Sequence, residues 1–325
     1  MIDSIIITGI SGQDGSLLAK LLNSGVNRII GLTRSPDHFP TNLRYLGLDN
    51  IYLEKMPDSF HEWVTLLEKY RPVEIYNFAS QSSVGLSFDA IESTFDSNFI
   101  IFHQMLDAVK FINSEIKIFQ ASSSEMFGNQ EKSTFDENSP FYPVSPYALS
   151  KVMAHNLANF YRSYSNMKIY CGIFFNHESC LRGKNFVIKK IINHVANLEL
   201  GFRVNEKLQL GNLNIRRDWG YAPEYMEAAK MIMSSDRPSD YIISSGISSS
   251  IEEVVELAFL SIGRNWRDFV IVNKALYRAN EINVNCGNHS KLKHEFSWNY
   301  NMSLQEFVNN LLVDEISYIE WQKRN

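Results

Sequence analysis

Three glycines, Gly9, Gly12 and Gly15, stand three residues apart, directly behind a β-branched run, Ser4–Thr8, and at the head of an amphipathic stretch, 15–23. A strand that turns on glycine into a helix leaves few architectures open. The first glycine permits a tight turn, the second lets backbone approach a phosphate, and the third lets helix and strand pack closely. The free N–H groups and positive dipole end of the helix then face an anion. The loop Gly9-Ile10-Ser11-Gly12-Gln13-Asp14-Gly15, with Gln13 and Asp14 included, is expected to hold a dinucleotide; the competing reading is a purely structural glycine turn.

The rest of the chain repeats the same alternation. Ser4–Thr8, Arg28–Thr33, 73–78, 117–121 and 168–175 read as buried parallel strands, and 15–23, Phe60–Tyr70, 90–112 and 147–164 as the helices between them. Such a series implies an α/β fold with a doubly wound parallel sheet, Rossmann-like, whose ligands sit at the carboxyl ends of the strands. Past residue 176 the pattern loosens into short strands, Leu208–Leu210 and 241–244, among helices at 186–198, 250–262 and 303–321. Ser303 is a candidate N-cap, with Glu306 in the first turn behind it. The expected division is a dinucleotide-binding lobe over 1–175, to which later segments return, and a smaller mixed lobe over 176–325 that mainly binds substrate.

Composition narrows the function. The 325 residues are 45% hydrophobic and 21% charged, with a net charge of -5 and no basic block. A nucleic-acid or membrane-surface binder would show a basic stripe, so neither partner is expected. The three cysteines, Cys171, Cys180 and Cys286, and the histidines form neither a disulfide framework nor a zinc pattern, and no metal is expected. No apolar run reaches the ~20 residues of a membrane span, and no signal peptide fits the start. A cytoplasmic protein is expected.

Four features carry chemistry. After the second strand, Arg34 and Ser35 stand where an NAD site would place a carboxylate for the ribose 2′-hydroxyl. They suit a 2′-phosphate, and the cofactor is expected to be NADP, unless Arg34 is only a surface cation. Tyr147 and Lys151 lie one turn apart on one helix face, where an ammonium can favour a phenolate that takes a hydroxyl proton. Ser123, at the end of a strand, can hydrogen-bond both Tyr147 and a substrate hydroxyl. Glu125 follows two residues later. Oxidising a sugar at C4 acidifies the C5 hydrogen, and a carboxylate there could remove it and assist loss of the C6 hydroxyl. The alternative for Glu125 is an ordinary solvated or helix-N-terminal glutamate.

The chain resembles the GDP-mannose 4,6-dehydratases, of the extended short-chain dehydrogenase/reductase class. The resemblance rests on Gln120-Ala121-Ser122-Ser123-Ser124-Glu125-Met126-Phe127-Gly128 and on Pro140-Phe141-Tyr142-Pro143-Val144-Ser145-Pro146-Tyr147. Phe175-Asn176-His177-Glu178-Ser179, Arg182-Gly183, Leu210-Gly211-Asn212-Leu213 and Arg216-Arg217-Asp218-Trp219-Gly220 are its most specific segments. It implies a catalytic set of Ser123, Glu125, Tyr147 and Lys151. It also implies that Asn176, Lys190, Arg217, Arg278 and Glu281 hold a nucleoside diphosphate, although each alone could be a surface ion-pair partner. This sequence departs from the family at four places. Ser123 replaces a threonine, Lys55 an adenine-contacting aspartate with Asp58 close by, Ser83 a histidine near the sugar, and Arg34-Ser35 a pair of arginines tied to cofactor and tetramer contacts.

The resemblance implies a GDP-sugar 4,6-dehydratase, with GDP-mannose the first expected substrate and a homodimer or homotetramer the expected assembly. Rival readings are the same dehydration of GDP-N-acetylglucosamine or a GDP-heptose, an epimerase or reductase in which Glu125 is idle, and a non-catalytic NADP-binding regulator.

Overall fold

The computed structural model describes residues 3–23, 27–131, 134–202, 205–277, 282 and 284–325. The chain begins β1 (Ser4–Thr8), α1 (Gln13–Leu22), β2 (Arg28–Thr33), α2 (Thr41–Tyr45), β3 (Tyr52–Lys55), α3 (Phe60–Tyr70) and β4 (Glu74–Asn77). It continues through α4 (Val84–Ser87), α5 (Ile91–Phe95), a π-helical turn at Asp96–Ile100, α6 (Ile101–Ile112) and β5 (Lys117–Ser123). β6 (Thr134–Phe135), α7 (Pro146–Ser165) and β7 (Ile169–Phe174) close this part. One helix was expected over 90–112; the structure breaks it with the π turn, which buries Asn98 between Gln81 and Ser150.

Seven parallel strands form the main sheet in the order β11-β7-β5-β4-β1-β2-β3, where β11 is defined below. Alternation along β1 explains its two covered faces. Ile5 and Ile7 pack into one apolar cluster with Leu18 and Met226, whereas Ile6 packs into the other with Trp63 and Leu106. Each fully buried isoleucine contributes about 2 kcal/mol by leaving water. The strand order reverses between β1 and β4, which opens a crevice above their carboxyl ends. Thr8 pins this switch point: its hydroxyl donates to Asn77 Oδ1 at 2.7 Å and accepts from the Ala79 N–H at 2.9 Å.

After β7 the chain leaves the main sheet. β8 (Asn176–Glu178), α8 (Val187–Glu199), β9 (Leu208–Leu210), β10 (Arg216–Tyr221), α9 (Ala222–Met233) and β11 (Asp240–Ile243) follow. Then come β12 (Ser248–Ser250), α10 (Ile251–Leu260), β13 (Val270–Val272), β14 (Val284–Gly287), α11 (Ser290–Phe296) and α12 (Leu304–Arg324). β11 returns to the main sheet beside β7, and α9 packs on α1. A second, mixed sheet runs β12-β10-β14-β6, with β8 also paired to β10, and α8, α10 and α12 share their own apolar cluster. Ser303 caps α12 in a reciprocal capping box with Glu306. Among the described residues, no helix is long and apolar enough to cross a membrane.

Candidate active site

The cleft starts at the end of β5. Ser123 is extended, and its Oγ accepts from the Glu125 N–H at 3.2 Å, which starts the 3₁₀ turn Ser124–Phe127. Gly128 follows at φ +65°, where a Cβ would lie 1.7 Å from the Tyr142 carbonyl oxygen. Only glycine lets the chain fold back here, and the Tyr142 N–H then donates to the Met126 carbonyl at 2.9 Å. This return delivers Ser145, whose Oγ accepts from the Ala148 N–H, and Pro146 to open α7 beside β5.

α7 therefore presents Tyr147 and Lys151 to the same wall as Ser123 and Glu125, and all four line one cleft of ≈ 410 Å³. The Lys151 ammonium donates to the Ala121 carbonyl at 2.9 Å and lies 5.9 Å from the centre of the Tyr147 ring. Burial pushes the Tyr147 phenol up to about 12; Ser123's hydrogen bond opposes this, Glu125 adds to it, and Arg182 opposes it. Burial also pushes Lys151 down to about 8, against the pull of Asp14. Desolvation thus dominates, and the phenol keeps its proton at neutral pH.

Gly9 has φ +65°, and a Cβ there would lie 2.9 Å from the Ala79 nitrogen; at Gly15 it would lie 2.5 Å from the Gly9 carbonyl oxygen. Gly12 offers no side chain to cap α1, so the N–H groups of its first turn are left for a ligand. These features fit a dinucleotide pyrophosphate. Gln13 and Asp14, however, reach across to β8 and Ser179 behind it. Gln13 Nε2 donates to the His177 carbonyl at 3.2 Å, and Ser179 Oγ donates to Gln13 Oε1 at 2.9 Å. Asp14 Oδ1 lies 3.0 Å from His177 Nε2, while His177 Nδ1 lies 2.8 Å from the Phe175 carbonyl. Burial would raise Asp14, but the charge and hydrogen bond of His177 and the charge of Arg182 hold it at about 2.

Arg34 and Ser35 are exposed behind β2, outside the lining of the cleft, and among the described residues Arg34 makes no ion pair. Asp58 lies 3.8 Å from Lys55 as an exposed pair at the end of β3. On the β4 side, Ser80, Ser82 and Ser83 line the cleft, and Ser83 Oγ is occupied as the cap of α4, accepting from the Leu86 N–H at 3.3 Å. At the other end, β8 pairs with β10 so that Asn176 stands opposite Trp219, two residues beyond Arg217. Arg217 is buried and donates to the Ile282 carbonyl, and Lys190 is exposed at the head of α8; both line the cleft with Asn176. Arg278 and Glu281 lie outside the described residues.

Reading the sequence singled out neither His177, Glu178 nor Arg182 as site residues. Glu178 is buried, which raises its carboxyl, and its Oε2 lies 3.6 Å from Arg182 Nε. Arg182 in turn stacks 3.6 Å over the Phe186 ring. Only the ionic residue types clustered in 176–182 signalled them.

Residues 6–311 match the family model described as GDP-mannose 4,6 dehydratase. GDP-mannose 4,6 dehydratase 1 of Arabidopsis thaliana is 35% identical, over 95% of this chain and 88% of the relative. The Homo sapiens GDP-mannose 4,6 dehydratase is 34% identical, over 96% and 91%. In fold, the chain matches the crystal structure of dTDP-glucose 4,6-dehydratase from Bacillus anthracis in complex with NAD, with a TM-score of 0.83, 22% identity and 99% of each chain covered. The glycine turn, the Ser123–Glu125–Tyr147–Lys151 wall and these full-length matches agree, and the chain belongs to the GDP-mannose 4,6-dehydratase family.

Proposed function

We propose that this enzyme removes water from GDP-mannose to give the 4-keto-6-deoxy sugar, using bound NADP. The observation that carries the reading is the convergence of Ser123, Glu125, Tyr147 and Lys151 on one cleft, with Asn176, Lys190 and Arg217 at its other end. Held at the glycine turn of Gly9, Gly12 and Gly15, NADP would supply the hydride acceptor for C4 and the hydride donor for C6. Ser123 and Tyr147 hold the 4-hydroxyl, and Tyr147 takes its proton. The positive charges of Lys151 and Arg182 favour the phenolate this requires. Glu125 takes the C5 proton, and the carboxylic acid so formed protonates the departing C6 hydroxyl, which leaves as water; when hydride adds to C6, C5 takes up a proton equivalent to the one Tyr147 removed from the 4-hydroxyl, so the protons balance. Asn176, Lys190 and Arg217, with Arg278 and Glu281, take the nucleoside diphosphate, for which guanidinium forks and an ammonium are suited.

Gly9, Gly12 and Gly15 with the first turn of α1, where Gln13 and Asp14 lie, receive the cofactor; Arg34 and Ser35 take its 2′-phosphate, and Asp58 stands on the adenine side. Residues 1–175, with the returning β11, form the cofactor lobe, and 176–325 mainly the substrate lobe. Exposed apolar side chains on α6 and α7, among them Phe111, Phe160 and Tyr164, support a homodimer or a tetramer built from it. The three cysteines are free and buried, in keeping with the cytoplasm.

A second reading, the same dehydration of GDP-N-acetylglucosamine or a GDP-heptose, draws support from the small serines 80, 82 and 83 along the sugar side. Incubation with a panel of GDP, UDP, CDP and dTDP sugars, with mass detection of water loss, tests both. Water loss from GDP-mannose at the highest kcat/KM is expected; a preference for a non-GDP sugar would overturn the assignment.

A further inference from the structure

Behind the cleft, α7 carries polar groups that the chemistry above does not use. Tyr147, Lys151, His155 and Asn159 recur every fourth residue and so share one helix face. His155 is 2% exposed, and both ring nitrogens are engaged. Nδ1 lies 2.9 Å from Ser122 Oγ on β5, and Nε2 lies 3.3 Å from Asp240 Oδ2 on β11. Asp240 also accepts from Arg162 Nη2 at 2.6 Å and from Asn159 Nδ2 at 3.3 Å, and Arg162 Nε donates to the Ile169 carbonyl on β7 at 2.8 Å. A carboxylate paired with a guanidinium can only accept. His155 Nε2 therefore carries a proton, and Nδ1 shares a hydrogen bond with the Ser122 hydroxyl.

These bonds key α7 to three adjacent strands. α7 is also held by Lys151 at the Ala121 carbonyl, by Ser150 at Asn98 and by Tyr161 at Asp107, while Ala154 and Ala158 pack by small apolar contacts; none of these links α7 to β5, β7 and β11 together. A buried polar network gains little stability over apolar packing, but it selects one arrangement. Here the arrangement fixes Ser122, next to Ser123, and the helix face that bears Tyr147 two turns earlier. A cation is not called for: the Arg162 guanidinium already sits between Asp240 and Cys171, 3.5 Å from the thiol sulfur.

We propose that Ser122–His155–Asp240 is a positioning chain, which sets the rotation and height of α7 so that Tyr147 faces Ser123; its role in turnover rests on the function proposed above. None of the three hydroxyl, imidazole and carboxylate groups needs to touch substrate for this.

The test compares three variants of the full-length enzyme. His155→Leu removes both links, His155→Asn places an amide near the position of Nδ1 and keeps Ser122, and His155→Gln reaches Asp240 only. His155→Leu should lower kcat by about ten- to a hundredfold, the scale of a misplaced reacting group, with KM for GDP-mannose within about twofold. His155→Asn should recover most of kcat, and His155→Gln should recover the unfolding midpoint but not kcat. In crystals of His155→Leu, the Tyr147 hydroxyl should be displaced relative to Ser123. Unchanged kcat per folded enzyme with only a lower midpoint, or a Tyr147 that superposes on the wild type, would overturn the proposal. If His155→Leu does not fold, Ser122→Ala, which leaves the Asp240 cluster intact, decides by the same measurements. If the wild type does not dehydrate GDP-mannose, the functional reading fails, and the crystal comparison alone decides the positioning.

Discussion

Lys151→Met should make the empty enzyme more stable while removing its turnover. Burial lowers the lysine from 10.5 to about 8, with Asp14 opposing. That depression corresponds to roughly 3 kcal/mol of destabilisation wherever the folded state must hold the ammonium. Methionine matches the stem and removes the charge, but it leaves the Ala121 carbonyl without its 2.9 Å donor, at a cost of about 1–2 kcal/mol. The net gain at pH 7 is then about 1–2 kcal/mol. The sign follows from linkage. Between pH 8 and 10.5 the unfolded lysine holds a proton that the folded one has released, so wild-type stability rises with pH. The methionine variant lacks this term, and its advantage should shrink by about 2 kcal/mol by pH 9.5. Urea unfolding of both proteins without cofactor at the two pH values measures the difference directly. A variant less stable than wild type at pH 7, or an advantage that does not change with pH, would refute the reasoning.

Glu125→Gln should stop water loss yet keep some C4 oxidation, seen as absorbance of reduced cofactor on adding GDP-mannose; dehydration at the native rate would remove Glu125 from the mechanism. Arg34→Ala should weaken NADP binding by about tenfold or more while changing NAD little, measured by calorimetry, because the proposed contact is to the 2′-phosphate; equal losses would refute it. Gly9→Ala should cost about 1–3 kcal/mol and weaken either cofactor, since its Cβ would meet the Ala79 nitrogen at 2.9 Å in a positive-φ position. Thermal unfolding with and without cofactor reads both effects.

The local parts of this structure were legible in the sequence. β1, β2 and α3 form with the bounds expected, because each is an apolar or amphipathic run enclosed by turn residues and, for α3, capped by Ser59. β3 escaped notice: its four residues, Tyr-Leu-Glu-Lys, lie at the sheet edge with none fully buried, so no hydrophobic period marks it. β8, β12 and β14 are three or four residues long and exist through pairing with β10, far away in the chain. That Ser123, Glu125, Tyr147 and Lys151 share one cleft was legible because they sit in two short motifs. The Gln13–Ser179 and Asp14–His177 contacts were not, since their partners are 166 and 163 residues apart. His155 was passed over because nothing local tells a histidine at helical spacing from a core residue.

Those two contacts bear on how the enzyme admits its substrate. The opening turn of α1 is bolted to β8 and Ser179 by a buried amide–hydroxyl bond and by a carboxylate–imidazole bond. A jaw-like opening would have to break both at once and strip the buried Gln13 amide and Ser179 hydroxyl of their partner. These bonds resist such an opening, and GDP-mannose is expected to enter without it. Small-angle scattering should give the same radius of gyration with and without GDP and cofactor. Bracing of this kind, next to the glycine turn, is expected to keep the larger dinucleotide in place from one turnover to the next.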